Sequence, residues 1–413
     1  MKVKFFTLGC KVNQYETQAL AEKFIKYDCV ITSGKADLYV INTCTVTQQA
    51  DAKSKQAVVK ARKENPQAKI AVAGCLAEFN SDSILPYNVD YIIPQSKKHL
   101  LPDIVMGEKP SDKNVWSLKI SRFFNHRAFI KVQDGCNNMC AFCKIPHIRG
   151  KPTSRNKHDV TEEVKALIAD YQEIVLCGTN LGLYGQGFLP PYDLFSLVSE
   201  LLSIDGLGRI RLSSIEPYSI DDRLISLYKD KKLCPHLHLP FQSGDDNVLK
   251  MMNKKETTQM YYDIAEKIRT VRPAAALSCD IIVGFPGETE ECFNNTLKFL
   301  RAIRPMRMHV FRFSPRDKTF FDGMRLREQE DIKRRVDTLK ELNRELSLSY
   351  KKNFINKNLW MVAEEHKGEY TVGYTENYLR VNFKGRIGLG KILGVVPYDV
   401  NDNGEVFVKV HAP

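Results

Sequence analysis

The chain has 413 residues, of which 43% are hydrophobic and 27% are charged, and this balance excludes wholesale disorder. The formal net charge of +12 at pH 7 is compatible with a polyanionic partner but is weak evidence for one. Charges, Pro or Gly interrupt every apolar run before the roughly 20 residues of a membrane span, and no signal-peptide cleavage site follows the first residues, so a cytoplasmic protein is predicted.

The first hundred residues alternate between predicted strands and helices, which indicates a small parallel α/β sheet. The predicted strands are Lys2–Leu8, Asp37–Asn42, Lys69–Gly74 and Tyr91–Ile93, and the predicted helices are Asn13–Tyr27 and Thr47–Glu64. The segment from Pro94 to about Arg122 is polar and is interrupted by Gly107 and Pro110, so it is predicted to be a linker.

A second alternation, at longer spacing, predicts a partial (β/α)6 barrel. Its predicted strands are Phe129–Val132, Glu173–Leu176, Ile210–Ser214, Leu237–Pro240, Cys279–Val283 and Met308–Phe313. A long charged helix is predicted from Arg327 to about Asn353, and the Val-, Tyr- and Gly-rich tail predicts a small all-β barrel of five strands. The predicted domains are therefore residues 1–110, 122–353 and 354–413.

Three of the eleven cysteines stand in C-x3-C-x2-C spacing after the first barrel strand, namely Cys136, Cys140 and Cys143. Three thiolates can hold a 4Fe–4S cluster and leave its fourth iron open to an exchangeable ligand. The alternative is structural zinc with His147 as the fourth ligand. Because barrel folds carry their chemistry at the carboxyl ends of their strands, the position of the motif favours the catalytic cluster.

A second possible set consists of Cys10, Cys44 and Cys75, each of which follows one of the first three predicted strands. The carboxyl ends of parallel strands share one edge of a sheet, so these residues can converge on a second metal cluster. The alternative is three separately buried cysteines. The remaining cysteines are predicted to be structural: Cys29, Cys177, Cys234, Cys279 and Cys292.

The cysteine motif on a β/α array resembles the radical S-adenosylmethionine (SAM) superfamily, and the order of the three predicted domains resembles a methylthiotransferase over the whole chain. The segment 7–16 is similar to the MtaB branch of that family, and the segment 178–185 resembles its tRNA-modifying branches. The resemblance implies a methylthiotransferase N-terminal domain, a radical-SAM partial barrel and a C-terminal TRAM barrel that binds RNA. The activity it implies replaces C2–H of N6-threonylcarbamoyladenosine, next to the tRNA anticodon, with a methylthio group, and it consumes two SAM.

The resemblance also implies site residues. Cys136, Cys140 and Cys143 would hold the SAM-binding 4Fe–4S cluster, while Cys10, Cys44 and Cys75 would hold an auxiliary 4Fe–4S cluster that carries the sulfur to be transferred. The implied SAM contacts are Phe142, Gly178, Ser213, Ser214, Glu216, Gln242, Ile282 and Val283. For each polar residue among them the alternative is a cap on the following helix. The family usually carries Pro-Gly where this chain has Asp317-Lys318, which leaves the geometry of that turn open.

The implied partners are the anticodon stem-loop of tRNA and a reductant protein such as flavodoxin or ferredoxin, with neither a membrane nor DNA. A basic stripe near the long helix could contact tRNA phosphates, or it could form intrahelical pairs such as Glu330–Arg334 and Asp331–Arg335. The residues of this stripe are Arg325, Arg327, Lys333, Arg334 and Arg335, and the candidate RNA contacts of the tail are Tyr374, Tyr378, Arg380 and Phe383. Three other functions stay open: modification of isopentenyl-adenosine in tRNA, modification of a ribosomal-protein aspartate, and a non-enzymatic zinc-containing RNA-binding protein.

Overall fold

The computed structural model describes residues 1–110, 114–322 and 329–411, and its first part is a parallel sheet packed against helices. The elements are β1 (Lys2–Thr7), α1 (Lys11–Lys26), β2 (Val30–Ile31), β3 (Leu38–Thr43), α2 (Gln48–Glu64), β4 (Lys69–Gly74), α3 (Cys75–Phe79), β5 (Tyr91–Pro94) and α4 (Leu101–Met106). The strand order is β2-β1-β3-β4-β5, and every pairing is parallel. The predicted small α/β sheet is confirmed, and the carboxyl ends of β1, β3 and β4 lie side by side.

The predicted linker begins with ordered and partly buried structure. Gln95–Leu100 forms a 3-10 turn that continues into α4, and Lys98 and Asp103 in this stretch are completely buried. Lys98 pairs with Glu16, and Asp103 pairs with Lys23. The linker prediction is wrong over 95–106 because these polar side chains are buried ion-pair partners rather than solvated groups.

The second part of the chain is the predicted partial barrel. Its elements are β6 (Ala128–Lys131), β7 (Gln133–Asp134), α5 (Ile145–Arg149), β8 (Thr153–Ser154), α6 (Lys157–Leu167), β9 (Glu173–Cys177), α7 (Leu194–Leu202), β10 (Arg209–Leu212), α8 (Asp222–Ser226), β11 (His236–Gln242), α9 (Asp246–Met251), α10 (Thr258–Val271), β12 (Ala276–Val283), α11 (Glu290–Ile303) and β13 (Arg307–Arg312). Strands β6, β9 and β10 form one parallel sheet, and β11, β12 and β13 form another. Two isolated parallel bridges, Ile210–Leu233 and Ser214–His238, connect β10 with the chain at β11.

The last part of the described chain is a long helix followed by a small closed barrel. The elements are α12 (Gln329–Lys352), β14 (Leu359–Lys367), β15 (Tyr370–Thr375), β16 (Arg380–Lys384), β17 (Ile392–Val400) and β18 (Val406–Val410). The strands close in the order β14-β15-β16-β18-β17, which confirms the predicted β-barrel. None of the helices in the described ranges combines the length and the apolar character that a membrane crossing requires.

Two of the five residues of the predicted basic stripe form ion pairs within the protein. Arg335 is buried, with its guanidinium 2.9 Å from Glu288, and it also pairs with Asp331 as predicted. Arg334 pairs with Asp331 and Glu290 rather than with Glu330. Arg325 and Arg327 lie outside the described residues.

An arginine cluster joins the tail barrel to the partial barrel. Arg209 and Arg211 flank the buried carboxylate of Glu173 and donate hydrogen bonds to backbone carbonyl groups of the tail, including those of Trp360 and Thr375. The rings of Tyr374 and Tyr378 pack on guanidinium groups of the same cluster: Arg127 lies 4.6 Å from the Tyr374 ring and Arg211 lies 4.5 Å from the Tyr378 ring. These two predicted RNA contacts therefore belong to a domain interface.

The N-terminal sheet is joined to the partial barrel through Glu16 of α1, whose side chain is completely buried. Its carboxylate lies 2.6 Å from Lys98 Nζ, 2.6 Å from Lys131 Nζ and 3.3 Å from Arg149 Nη1. Burial alone would raise the pKa of the Glu16 carboxyl, but Lys131, Lys98 and Arg149 together hold that pKa well below its ordinary value. Glu16 is therefore a buried anion whose stability depends on the cations around it.

Replacing Glu16 with Gln removes this anion and leaves the surrounding cations without their shared partner. We expect Glu16→Gln to lower the free energy of unfolding by about 3–5 kcal/mol, as found when a buried ion pair loses one member. Chemical denaturation followed by circular dichroism measures this change. The matched control is Glu341→Gln, which breaks an exposed pair with Arg344 on α12 and should leave the free energy of unfolding nearly unchanged. Equal and small effects of both substitutions would contradict the proposed importance of Glu16.

Candidate active site

The first cysteine set lies where three neighbouring parallel strands end. Cys10 precedes α1, Cys44 follows β3, and Cys75 begins α3 directly after β4. Gly9 has φ +93°, and a Cβ atom at that position would lie 2.9 Å from the sulfur of Cys44, so glycine allows the close approach of the Cys10 and Cys44 segments. Burial raises the pKa of the Cys44 thiol to about 12, and the charges of Cys75 and Cys10 add to that increase. The structure brings the predicted set together.

The second cysteine set lies on the loop between β7 and α5. The backbone N–H of Cys136 donates to the carbonyl of Gly150 at 3.1 Å, and that of Ala141 donates to the carbonyl of Met252 at 2.9 Å. Burial raises the pKa of Cys140 to about 12 and that of Cys143 to about 11, and neighbouring thiolates of the set raise both further. Three thiolates that repel one another in this way fit a cationic metal cluster, which stabilises the deprotonated form.

The spacing of the sulfur atoms separates a cluster from a single metal ion. Tetrahedral zinc with Zn–S bonds of about 2.3 Å holds its sulfur ligands about 3.8 Å apart. Among the described residues, which include all the cysteines and His147, no Cys or Cys/His group has three ligand atoms within 4.8 Å of one another. Neither cysteine set is therefore arranged as a compact single-zinc site, and three thiolates of either set could instead ligate three irons of a 4Fe–4S cluster.

Charged side chains surround the second set. Lys254 Nζ lies 2.9 Å from Glu216 and 3.5 Å from Glu256, and all three side chains are largely buried. Burial raises the pKa of Glu216 to about 7, and the nearby charge of Glu256 contributes, while Lys254 opposes the increase. The charge of Glu216 acts on Cys136, Cys140 and Cys143, so this predicted residue lies beside the second cysteine set.

A cavity of about 150 Å³ is lined by residues that are close in sequence to both cysteine sets. The N-terminal domain contributes Val46 and Thr47, which closely follow Cys44, and the barrel contributes Phe142, which lies between Cys140 and Cys143. The other lining residues are Gln242, Asp280, Ile282, Phe311, Arg312, Phe313 and Ser314. Three predicted SAM contacts, Phe142, Gln242 and Ile282, thus share one cavity wall.

The other predicted SAM contacts lie outside the lining of this cavity. The hydroxyl of Ser213 is buried without a hydrogen-bond partner in the described protein, as is that of Ser314 on the cavity wall, and such orphaned groups fit a polar ligand. Ser214 forms the bridge to His238, and Val283 is completely buried in the hydrophobic core. Gly178 packs so closely that a Cβ atom there would lie 2.9 Å from the Cβ of Gln133.

The turn at Asp317-Lys318 keeps a glycine-like conformation without glycine. Lys318 has φ +56°, and its backbone N–H donates to the Asp322 carboxylate at 2.9 Å. Just before the turn, Arg316 is buried and donates to the backbone carbonyl of Thr45 at 3.1 Å and also pairs with Asp51. This arginine ties the loop after β13 to the loop that follows Cys44, a connection that the sequence pattern did not reveal.

Comparison with known proteins agrees with this architecture. The radical SAM superfamily model matches residues 130–300, and the model of uncharacterized protein family UPF0004 matches residues 2–93. The chain is 38% identical to the Bacillus subtilis threonylcarbamoyladenosine tRNA methylthiotransferase MtaB, covering 95% of this chain and 93% of that protein. It is 36% identical to the Aquifex aeolicus protein of the same name, covering 96% of this chain and 100% of that protein.

This chain belongs to the radical-SAM methylthiotransferase family. A tRNA-2-methylthio-N(6)-dimethylallyladenosine synthase from Oceanobacillus iheyensis is also similar, with 34% identity over 94% of this chain and 80% of that protein. Among solved structures, the radical SAM methyltransferase TsrM from Kitasatospora setae shares the fold, with a TM-score of 0.57, 12% identity and coverage of 75% of this chain and 74% of that one.

The enzyme is a radical-SAM methylthiotransferase whose cofactors are two 4Fe–4S clusters and SAM. The zinc-containing, non-enzymatic alternative is therefore rejected. The residues described above fit these cofactors, because each cysteine set offers three sulfur ligands and the hydroxyl of Ser314 on the cavity wall has no partner among the described residues.

Adding one methyl group at Gly178 tests the packing next to the second cysteine set. In Gly178→Ala the new Cβ atom would overlap with the Gln133 side-chain stem, and relief requires a shift of the segment that precedes Cys136. We expect a loss of about 1–3 kcal/mol in the free energy of unfolding, together with weaker SAM binding by isothermal titration calorimetry. Gly388→Ala is the control, since no atom lies within 4 Å of the added carbon. A Gly178→Ala protein that matches this control would show that the packing is not tight.

Proposed function

We propose that Cys136, Cys140 and Cys143 hold the SAM-binding 4Fe–4S cluster and that Cys10, Cys44 and Cys75 hold the auxiliary cluster. The observation that carries this assignment is the cavity whose lining includes Val46, two residues after Cys44, and Phe142, which lies between Cys140 and Cys143. A ligand in this cavity would contact the segments that carry both sets. Each set offers three cysteine sulfurs, the number that a 4Fe–4S cluster with one open iron requires.

The reaction requires cofactors, because the C2–H of adenine is neither acidic nor electrophilic enough for side-chain acid–base chemistry. When bound, SAM and the clusters would supply the radical, the methyl group and the sulfur. The residues of the chain would position the reactants: Phe142 and Ile282 form apolar walls for adenine, and Gln242 and the free hydroxyl groups of Ser213 and Ser314 offer hydrogen bonds. We propose Gly178, Ser214, Glu216 and Val283 as further contributors to the SAM site.

We propose that the substrate is N6-threonylcarbamoyladenosine in the anticodon stem-loop of tRNA and that its C2–H is replaced by a methylthio group. The names of the relatives with 38% and 36% identity support this choice. The cavity wall also carries the polar groups of Gln242, Asp280 and Arg312, which suit a polar N6 substituent better than an apolar isopentenyl group. Isopentenyl-adenosine in tRNA and a ribosomal-protein aspartate are the less favoured alternatives.

We further propose that the three functional domains are residues 1–110, 122–353 and 354–413, the last being an RNA-binding TRAM barrel. The enzyme is proposed to work in the cytoplasm, where tRNA and a reductant such as flavodoxin or ferredoxin are present. Neither DNA nor a membrane is proposed as a partner. The basic surplus of +12 supports a polyanionic substrate.

Mass spectrometry of tRNA nucleosides tests the proposed substrate. Deleting the gene should remove 2-methylthio-N6-threonylcarbamoyladenosine and leave its unmethylthiolated precursor in place, because only the final step is lost. The methylthio form of isopentenyl-adenosine should keep its level. An unchanged amount of the first nucleoside, or loss of the second, would contradict the proposal.

Complementation of the deletion strain compares the wild-type protein with a variant of the first cysteine set. Wild-type protein should restore the modification, whereas Cys10→Ala should fail to restore it. The same variant, purified without oxygen, should still cleave SAM within about twofold of the wild-type rate, because the second cysteine set is intact. Equal loss of both activities would contradict the division of labour between the two sets.

A further inference from the structure

A cluster of two histidines and one aspartate lies inside the partial barrel, and its aspartate lines the cavity described above. It consists of His238 on β11, Asp280 on β12 and His309 on β13, three adjacent parallel strands. His238 Nε2 lies 3.2 Å from Asp280 Oδ2, and His309 Nδ1 lies 3.0 Å from Asp280 Oδ1. We call it the His–Asp–His cluster. Among the described residues it is the one group of His, Cys, Asp or Glu side chains whose three ligand atoms lie within 4.8 Å of one another.

Hydrogen bonds fix the deeper half of the cluster. The hydroxyl of Ser278 lies 2.9 Å from His238 Nδ1 and 2.8 Å from His236 Nε2, so the His238 ring is held on both edges. Burial alone would raise the pKa of the Asp280 carboxyl, but hydrogen bonds from His238 and His309 hold it well below its ordinary value. Asp280 is therefore a carboxylate that accepts from an imidazole on each side.

The shallower half of the cluster opens toward the cavity. Asp280 lines the cavity itself, and the His309 side chain is 42% exposed. His309 Nδ1 is engaged by Asp280, whereas its Nε2 atom has no hydrogen-bond partner in the part of the chain that the structure describes. Arg312, further along β13, also lines the cavity, and its guanidinium likewise has no ion pair or hydrogen bond to the described residues. A ring nitrogen beside the cavity and a guanidinium on its wall are thus without a partner among the described residues.

We propose that the His–Asp–His cluster is the subsite that positions the polar N6 substituent of the substrate nucleoside, an inference that rests on the proposed function. The substituent ends in a carboxylate and a hydroxyl. Asp280 engages the His309 ring at Nδ1, so the opposite nitrogen, Nε2, faces the polar groups of the substituent. Arg312 on the cavity wall supplies a positive charge for the substituent carboxylate.

The same arrangement explains how the enzyme rejects an apolar substituent. An isopentenyl group would cover His309 and Asp280 without forming a hydrogen bond, and a polar group buried without a partner is destabilising. Sites that bind a polar group of the correct substrate discriminate strongly against analogues that lack it. His309 is therefore proposed as a positioning residue that determines specificity.

Binding of anticodon stem-loops to the holoenzyme tests this inference without relying on turnover. Fluorescence anisotropy at fixed salt gives the affinity ratio between stem-loops that carry N6-threonylcarbamoyladenosine and stem-loops that carry unmodified adenosine. The ring-conserving variant His309→Phe and the near-isosteric variant Asp280→Asn should each lower this ratio by about tenfold. Affinity for the unmodified stem-loop and the dissociation constant for SAM should stay within twofold. His158→Ala changes an exposed histidine at the start of α6 and should leave every value unchanged.

The outcomes distinguish failure of the proposed substrate from failure of the proposed subsite. If the wild-type holoenzyme shows no preference for the threonylcarbamoyl stem-loop, the proposed substrate is wrong and the subsite falls with it. If the wild type shows the preference and both variants keep it, the subsite alone is wrong. A large increase in the dissociation constant for SAM would assign the cluster to the cofactor site instead. Stoichiometric zinc in the wild type that is lost from His309→Phe would make it a metal site and would also overturn the inference.

Discussion

The buried carboxylate of Glu16 is the contact on which the arrangement of the two catalytic halves depends. It lies on the N-terminal domain and pairs with Lys131 and Arg149 of the barrel and with Lys98 of the segment between them. A carboxylate removed from water needs such partners, so the charge pairing fixes the orientation of the sheet against the barrel. Arg149 also lies close to Cys75, with Nη2 of the arginine 3.8 Å from the cysteine sulfur. The same ion-pair network therefore contacts the first cysteine set.

This contact brings together two units that follow the same structural rule. In each unit parallel strands end at one edge, and the residues after those strand ends carry the chemistry. The first unit presents Cys10, Cys44 and Cys75 there, and the second presents the loop of Cys136 to Cys143. Arg316 also binds the loop after Cys44, and residues from the loops that follow both edges line one cavity.

The sequence alone was sufficient for the features that arise from local patterns. Parallel strands covered on both faces are continuous apolar runs, so Leu38–Thr43 was predicted to within one residue at each end. Cysteine spacing indicated one candidate set, and positions directly after strand ends indicated the other. Features that depend on distant pairing were missed. Lys98 is polar and was predicted to lie in a linker, but it pairs with the buried carboxylate of Glu16. Tyr378 was predicted to contact RNA, but its ring packs on the guanidinium of Arg211. His238, Asp280 and His309 are far apart in sequence. The pairing of β11 with β12 and of β12 with β13 brings their side chains together.

Mössbauer spectroscopy combined with iron analysis of oxygen-free protein tests the central claim most directly, because it counts the clusters that each cysteine set holds. The wild type should contain about eight irons in two 4Fe–4S clusters. A triple Cys→Ala variant of either set should retain about four irons in one intact cluster, whose spectrum differs between the two variants. A single cluster in the wild type, or loss of all iron on removal of either set, would contradict the account.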